Sequence, residues 1–340
     1  MPTDRAALIE KFIGTTDWAD AARTTLAGDA SARRYDRLAL GGDGGTSVLM
    51  DADPARGEDV RPFISVAKFL TGTGLSAPRI LAADEPLGAL IIEDFGDDLF
   101  ARHLERTPDD AAALYDAAID ALVALHNAPA PVLNSYAPVM PALAGLAYEW
   151  YLNGVSGTQA PDHKAQTEAE MARLVAQIGG PEVVILRDYH AENLIWLPDR
   201  KGPARVGLLD FQDAMLGPAA YDVISLTTDA RRDVSPEIAR AMLARYIAAS
   251  NQPEDAFLTS AAICAAQRNL RILGVFARLG LRDGKAHYID LIPRVWGHLV
   301  QSLEHPALRR LADRIFADLP APTPDLLAKL KAQCAKPQTP

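Results

Sequence analysis

Three polar residues stand out because of the apolar runs around them. Asp188 and Asn193 lie five positions apart in the stretch Val183-Val184-Ile185-Leu186-Arg187-Asp188-Tyr189-His190-Ala191-Glu192-Asn193-Leu194-Ile195-Trp196. The stretch reads as an apolar strand, a polar loop and a second apolar strand. Seventeen residues after Asn193, the run Val206-Gly207-Leu208-Leu209 ends in Asp210 and continues Phe211-Gln212-Asp213. Such a set suits transfer of a phosphoryl group. One carboxylate orients an attacking hydroxyl and takes its proton, while an amide oxygen and a second carboxylate hold Mg²⁺ against nucleotide phosphates. The D-x-x-x-x-N spacing alone is a weak pattern; an aspartate closing a later apolar strand strengthens it.

These residues need a scaffold. The 340 residues are nearly half hydrophobic, enough for a sizeable core. Residues 5–14 read as a short amphipathic helix, and 17–26 as a turn or the approach to a strand. Strand character follows over Arg33–Leu40 and Thr46–Asp51, with the glycine-rich turn 41–45 between them. Apolar Val60, Phe63, Ile64, Ala67 and Leu70 mark a helix over about 60–71. Two more strands are expected at 79–83 and 89–93. After Phe95-Gly96 the pattern turns helical, with helices expected at 109–127 and near 141–153, 163–178, 235–250, 254–279 and 287–303. Only 182–213 breaks this run with β-type segments. The fold class is therefore α+β and two-lobed: a small antiparallel-sheet lobe over 1–94 and a larger, mainly helical lobe over 95–340. From about Pro320 the chain is rich in proline and polar residues, and 337–340 is expected to fray.

Composition narrows the function classes. The net charge of −10 argues against a nucleic-acid or anionic-membrane partner, which calls for a concentrated basic face. Cys264 and Cys334 are far apart and form no C-x-x-C pattern, so neither a disulfide framework nor a zinc site is indicated. No signal-peptide pattern opens the chain, and no apolar run reaches about 18 residues, so a cytoplasmic protein is expected. The expected partner is a small molecule; no obligate protein partner is inferred.

The Asp188–Asn193 loop and the strand ending in Asp210 resemble the catalytic and metal-binding loops of the aminoglycoside-phosphotransferase and choline-kinase superfamily, relatives of protein kinases. Leu216-Gly217-Pro218-Ala219-Ala220-Tyr221-Asp222 is similar to the G-x-x-x-[YF]-D element of these kinases. The resemblance covers most of the chain and implies a two-lobed, protein-kinase-like fold. It also implies Asp188 as catalytic base, Asn193 and Asp210 as Mg²⁺ ligands, and ATP as the phosphoryl donor. Asp222 is then a structural brace for the catalytic loop.

A closer resemblance is to the bacterial anomeric sugar kinases of cell-wall recycling, which phosphorylate N-acetylmuramate and N-acetylglucosamine at the C1 hydroxyl. It rests on Leu186-Arg187-Asp188-Tyr189-His190, Leu209-Asp210-Phe211-Gln212-Asp213-Ala214, Asp229-Ala230-Arg231-Arg232-Asp233-Val234 and Gln267-Arg268-Asn269-Leu270-Arg271-Ile272-Leu273-Gly274. It implies a sugar 1-phosphate that feeds nucleotide-sugar synthesis.

On the ATP side, Gly28-Asp29-Ala30-Ser31-Ala32-Arg33 would cover the phosphates in the kinase reading, with Ser31, nearby backbone N–H groups and Arg33 as donors. The segment also reads as an ordinary hairpin. Glu93 and Phe95, at the end of the last strand of the small lobe, are the connector residues whose backbone would meet adenine. One departure is Met50, which stands where many relatives carry a phosphate-holding lysine. Arg33, Arg34 or Lys68 would have to replace it.

On the acceptor side, His190 and Glu192 flank the base and are candidates for substrate hydroxyls. Asp213 either touches metal or sugar or caps the next turn. Arg268 and Arg271 share one helical face, and with Arg231 and Arg232 they are candidates for a carboxylate on the acceptor or for plain salt bridges. Asn269 is a candidate for a hydroxyl or N-acetyl group, and His126 reads as a packed core residue. The arginines favour a neutral or anionic acceptor. The alternatives are a kinase of another small alcohol or amine, such as choline, homoserine or an aminoglycoside, and a nucleotide-binding pseudokinase.

Overall fold

The computed structural model describes residues 5–26, 33–42 and 44–334. The described chain forms two compact units. The first comprises Met1–Pro131 and Ala191–Ala214, the second Val132–His190 and Met215–Pro340. The first boundary between the two units falls after Pro131.

In chain order the first unit opens with α1 (Arg5–Ile13), β1 (Ala22–Leu26), β2 (Arg34–Ala39), β3 (Thr46–Asp51) and α2 (Arg61–Gly72). It continues with β4 (Ile80–Asp84), β5 (Ala89–Glu93), α3 (Phe100–Arg106) and α4 (Ala111–Asn127). The chain then enters the second unit with α5 (Met140–Ala144), α6 (Asn153–Ser156), α7 (Pro161–Val175) and β6 (Val183–Ile185). It returns to the first unit for β7 (Leu194–Trp196) and β8 (Val206–Leu208). The second unit closes with β9 (Met215–Gly217), α8 (Ala220–Thr227), α9 (Pro236–Ser250), α10 (Glu254–Leu281), α11 (Ile292–Leu303), α12 (Arg309–Asp318) and α13 (Pro324–Ala332).

The first unit is built on an antiparallel sheet of order β1-β2-β3-β5-β4. Alternation along the strands sorts its two faces. Leu38, Leu49 and Ile91 pack with Ile9, Phe12 and Ile13 of α1. The opposite face carries Tyr35, Met50 and Leu90, which are cross-strand neighbours in register. The β7–β8 hairpin is stitched to this unit by the Leu208 N–H to the Ser76 carbonyl (2.7 Å) and the Trp196 N–H to the Asp98 carbonyl (2.9 Å). Phe63 of α2 stacks on Phe211 at 4.8 Å between ring centres.

The second unit is mainly helical, around the 28-residue α10. The single helix expected over 141–153 is instead α5, a π-helical turn at Ala147–Leu152, and α6. The turn places Tyr148 and Tyr151 inside, where their hydroxyls donate to Asp318 and to the Pro320 carbonyl. Gly274 of α10 lies against the Leu146 backbone, and a Cβ there would come within 2.3 Å of it. Beyond Pro320, Thr323 caps α13 by accepting the Leu326 N–H, so a helix forms in a stretch whose prolines mask it. Residues 337–340, where fraying is expected, lie outside the described residues.

Candidate active site

Asn193 and Asp210 belong to the first unit and stand at the same end of the β7–β8 hairpin. The strand register pairs Leu194 with Leu208, and the Leu209 N–H donates to the Asn193 carbonyl at 3.0 Å. An amide side chain and a carboxylate therefore leave adjacent backbone positions. Asp210 sits at φ +54, in the left-handed region, and Gln212 Nε2 donates to its Oδ1 at 2.7 Å. Both residues offer hard oxygen donors on a backbone-fixed base. That fits Mg²⁺, which takes one or two protein oxygens and completes its shell with phosphate and water.

Tyr35, which the sequence reading passed over, links this end of the hairpin to the sheet. Burial pushes its phenol up, with Asp210 and Glu58 adding to that and Arg33 opposing it. Arg33 donates to Glu58 at 2.8 Å. Burial works against its charge, but Tyr35 and Glu58 together keep it protonated. Arg33 is thus held between Glu58 and Tyr35, the cross-strand neighbour of Met50. Arg34 pairs in register with Asp51, so alternation puts it on the α1 face, and Lys68 is exposed on α2. Met50 is fully buried, as expected of an apolar side chain at that place. Ser31, with Gly28 to Ala32, lies outside the described residues.

The connector after β5 is held by charge. Arg37 donates to both Asp94 and Asp97, and Glu93 is paired with Arg79 (3.1 Å) and Arg200 (2.8 Å). The Glu93 N–H donates to the Arg79 carbonyl at 2.8 Å. The Phe95 ring rests on Gly207, where a Cβ would approach it to 2.8 Å, and beneath the Arg200 guanidinium at 4.9 Å. The side chains of Glu93 and Phe95 are therefore structural. Glu192 and Asp213 are exposed residues of the same unit.

Asp188 belongs to the second unit, on the loop after β6. The preceding Arg187 adopts φ +72, unusual for a residue with a side chain. Asp222, fully buried on α8, holds this turn by accepting the Leu186 N–H at 2.6 Å and the Arg187 N–H at 2.9 Å. Burial pushes the Asp222 carboxyl up to about 7, against the pull of those two bonds. The Arg187 guanidinium lies 5.2 Å over the Tyr136 ring. Tyr136 and Tyr221 bring their hydroxyls to 3.2 Å, and Arg271 donates to Tyr221 at 3.3 Å. Both tyrosines are buried; Tyr136 escaped the sequence reading, and Tyr221 was quoted only as part of the G-x-x-x-[YF]-D element.

Burial by itself would raise the Asp188 carboxyl. Arg271, His190, Arg268 and Arg187 outweigh it and hold the group below the usual aspartate range, so it is ionised at neutral pH. His190 is buried with its Nε2 3.2 Å from Arg231 Nη1. Burial, aided by Arg231 and Arg268 against Asp229 and Asp188, pushes it down to about 4. Arg268 is buried beside the Thr228 carbonyl. The second unit thus gathers Asp188, His190, Arg231, Arg268 and Arg271 into one charged group. Asn269 is fully buried and donates to the Ala265 carbonyl of its own helix, and Gln267 donates to the Met140 carbonyl. Arg232 shares the 229–234 segment with Arg231, and the ion pair of that segment with α11 is made by Asp233 to Arg294. His126 is on the last turn of α4.

Comparison with known proteins places this architecture. The model of the phosphotransferase enzyme family matches residues 23–258. An N-acetylmuramate/N-acetylglucosamine kinase of Caulobacter vibrioides is 39% identical over 92% of this chain and 96% of its own. A kinase of the same name from Pseudomonas aeruginosa is 35% identical over 86% of this chain and 87% of its own. Among solved structures, a choline/ethanolamine kinase family protein from Mesorhizobium loti aligns with a TM-score of 0.61 at 13% identity, over 96% of this chain and 99% of that one. The ADP-bound aminoglycoside phosphotransferase APH(2'')-Ib aligns with a TM-score of 0.60 at 11% identity, over 89% and 99%. At such identities the structures speak for the fold, which is kinase-like.

Proposed function

The chain belongs to the phosphotransferase enzyme family, and from that footing we propose that it transfers the γ-phosphoryl group of ATP to the anomeric C1 hydroxyl of N-acetylmuramate and N-acetylglucosamine. The observation that carries the acceptor class is the surround of Asp188: an ionised carboxylate among arginines, Arg268 buried and Arg187, Arg231 and Arg271 half-buried, and a neutral histidine. A polycationic aminoglycoside or a quaternary amine calls for carboxylates instead, whereas a neutral sugar or one bearing a lactyl carboxylate suits this group. The choice of sugar rests on the near-full-length similarity to kinases bearing that name.

In this reading residues 1–94 bind the nucleotide and residues 95–340 carry catalysis and the acceptor. Asp188 orients the C1 hydroxyl and takes its proton as that oxygen bonds to the γ-phosphorus and the bond to the β-phosphate oxygen breaks, releasing ADP. An anomeric hydroxyl is more acidic than an ordinary sugar alcohol, so a carboxylate held at low pKa is an adequate base. Asn193 and Asp210 would hold Mg²⁺, which neutralises phosphate charge when bound. Arg33, held by Tyr35 and Glu58, is the cation we assign to the phosphates in place of a strand lysine. The Glu93 amide and carboxylate are already engaged, so its carbonyl and the Phe95 backbone are left to meet adenine. The product, a sugar 1-phosphate, would enter nucleotide-sugar synthesis from recycled cell wall in the cytoplasm. Among the described residues no helix is long and apolar enough to cross a membrane.

A coupled assay of ADP release with N-acetylmuramate, N-acetylglucosamine, choline, homoserine and kanamycin tests the reading. The two acetamido sugars are expected to accelerate release. Stimulation by an amine acceptor and by neither sugar would sink it.

A further inference from the structure

Beside the candidate base, the buried polar atoms without a protein hydrogen-bond partner among the described residues include His190 Nδ1, Asp229 Oδ2 and Arg268 Nε. Their residues are 4%, 1% and 3% exposed. Leaving such atoms unpaired is costly, so a cluster of them calls for an explanation. The local geometry fixes what each can do. An arginine only donates, so the 3.2 Å contact from Arg231 Nη1 makes His190 Nε2 an acceptor and puts the ring proton on Nδ1. Asp229 spends Oδ1 on the Arg231 N–H at 2.8 Å, which leaves Oδ2 as an acceptor. Arg268 Nη1 lies 3.5 Å from the Thr228 carbonyl, next to Asp229 in the chain, and its Nε–H is a donor. These three atoms are therefore two donors and one acceptor. Complementary as they are, they do not bond one another. A ligand group joining them must offer a donor and an acceptor on separate atoms.

We propose that His190, Asp229 and Arg268 form the subsite for the 2-acetamido group of the acceptor sugar. Asp229 Oδ2 accepts the amide N–H. His190 Nδ1–H and Arg268 Nε–H serve the two lone pairs of the amide carbonyl. The assignment rests on the functional reading above and adds to it the substituent by which the sugar is chosen. Position 2 adjoins the reacting C1, so its subsite must border the base, and His190 is two residues from Asp188 in sequence. Arg231 is a positioning residue here: it sets the His190 tautomer through Nε2 and orients Asp229 through its own N–H.

The test uses the whole enzyme and three acceptors: N-acetylglucosamine, glucose, and the N-methylated analogue of N-acetylglucosamine, which keeps the carbonyl but lacks the N–H. Wild-type kcat/KM is expected to fall roughly 100-fold or more from N-acetylglucosamine to glucose, because a site built for a polar group rejects the analogue without it. Methylation of the amide is expected to lower it roughly 10- to 100-fold. Asp229→Asn, which turns a donor toward the amide N–H, is expected to narrow the preference for N-acetylglucosamine over glucose by a similar factor. Equal use of the three acceptors, or an equal loss on both sugars in Asp229→Asn, overturns the subsite while leaving the kinase reading standing. Failure of every acetamido sugar to support ADP release overturns the kinase reading, and the subsite with it. The methylated substrate needs no variant, so the outcome does not depend on how Asp229→Asn folds.

Discussion

Asp222 provides the sharpest test of how the catalytic turn is held. Its carboxylate receives the Leu186 and Arg187 N–H groups at 2.6 and 2.9 Å in a fully buried place, and these bonds keep Arg187 at φ +72 immediately before Asp188. Asp222→Ala orphans two buried N–H groups, each worth about 1–3 kcal/mol, for a loss of about 2–6 kcal/mol. That is a large share of a typical domain's stability of about 5–15 kcal/mol. Asp222→Asn keeps one acceptor and removes the titratable group, which separates hydrogen bonding from charge.

The sign of the pH dependence follows from the shift. The folded carboxyl is pushed up to about 7 from an ordinary 3.8, so the native state binds the extra proton between those values. The stabilising contribution is full below about pH 4 and is lost as pH rises through about 7. From pH 8 to pH 5 the wild type should gain stability from this group, on the order of a few kcal/mol. Asp222→Asn has no such term, so it should look worst relative to wild type at pH 5 and best at pH 8. His190, depressed to about 4 from 6.5, works the other way: its contribution is present above about pH 6.5 and lost as pH falls through about 4. It is present in both proteins and cancels in their difference. Urea unfolding at pH 5 and pH 8 measures that difference, and steady-state kinetics report kcat, which is expected to fall in Asp222→Asn more than the KM for ATP changes. A stability difference that is the same at both pH values, or an Asp222→Ala protein as stable and active as wild type, would refute the reasoning.

Other expectations follow from the same geometry. Asp188→Asn should lower kcat roughly 10²- to 10⁴-fold, the range for a general base, with ATP affinity and melting temperature retained; full activity would remove Asp188 from the chemistry. Arg271→Met takes away the foremost cation holding Asp188 low, so the acidic limb of the kcat/KM profile should move to higher pH; an unmoved limb contradicts that role. Gly274→Ala puts a Cβ 2.3 Å from the Leu146 backbone and should destabilise by about 1–3 kcal/mol or more, seen as a lower Tm; an unchanged Tm would show that the α10 contact is loose.

Much of the fold was legible because its signals are local. The 5–14, 60–71 and 109–127 helices and the strands at 46–51 and 89–93 announce themselves by periodicity, and each forms within a residue or two of expectation. The 141–153 segment misled because its break into a π turn comes from tertiary demands: the place of Tyr148 and Tyr151 and the approach of Gly274 to Leu146. Candidate residues were legible where their spacing is local, as with Asp188 and Asn193 in a single stretch and Asp210 at the end of a strand. They were not legible where partners come from distant elements. Nothing in the sequence joins Arg33 to Tyr35 and Glu58, or Arg271 to Tyr221 and Tyr136. The roles expected of Glu93 and Phe95 rest on backbone atoms, while their side chains are engaged by Arg79, Arg200 and Gly207, pairings that only the fold creates. Asp229 lay in a segment already singled out, but its significance depends on an orphaned oxygen that no spacing reveals.

The central claim is that Asp188 directs phosphate to the anomeric oxygen of an acetamido sugar. ³¹P NMR of the product formed from ATP and N-acetylmuramate, with N-acetylglucosamine in parallel, measures it directly. The expected result is a sugar 1-phosphate signal, coupled to the anomeric proton, that is absent with Asp188→Asn. A 6-phosphate signal, or ATP left intact with both sugars, would contradict the account.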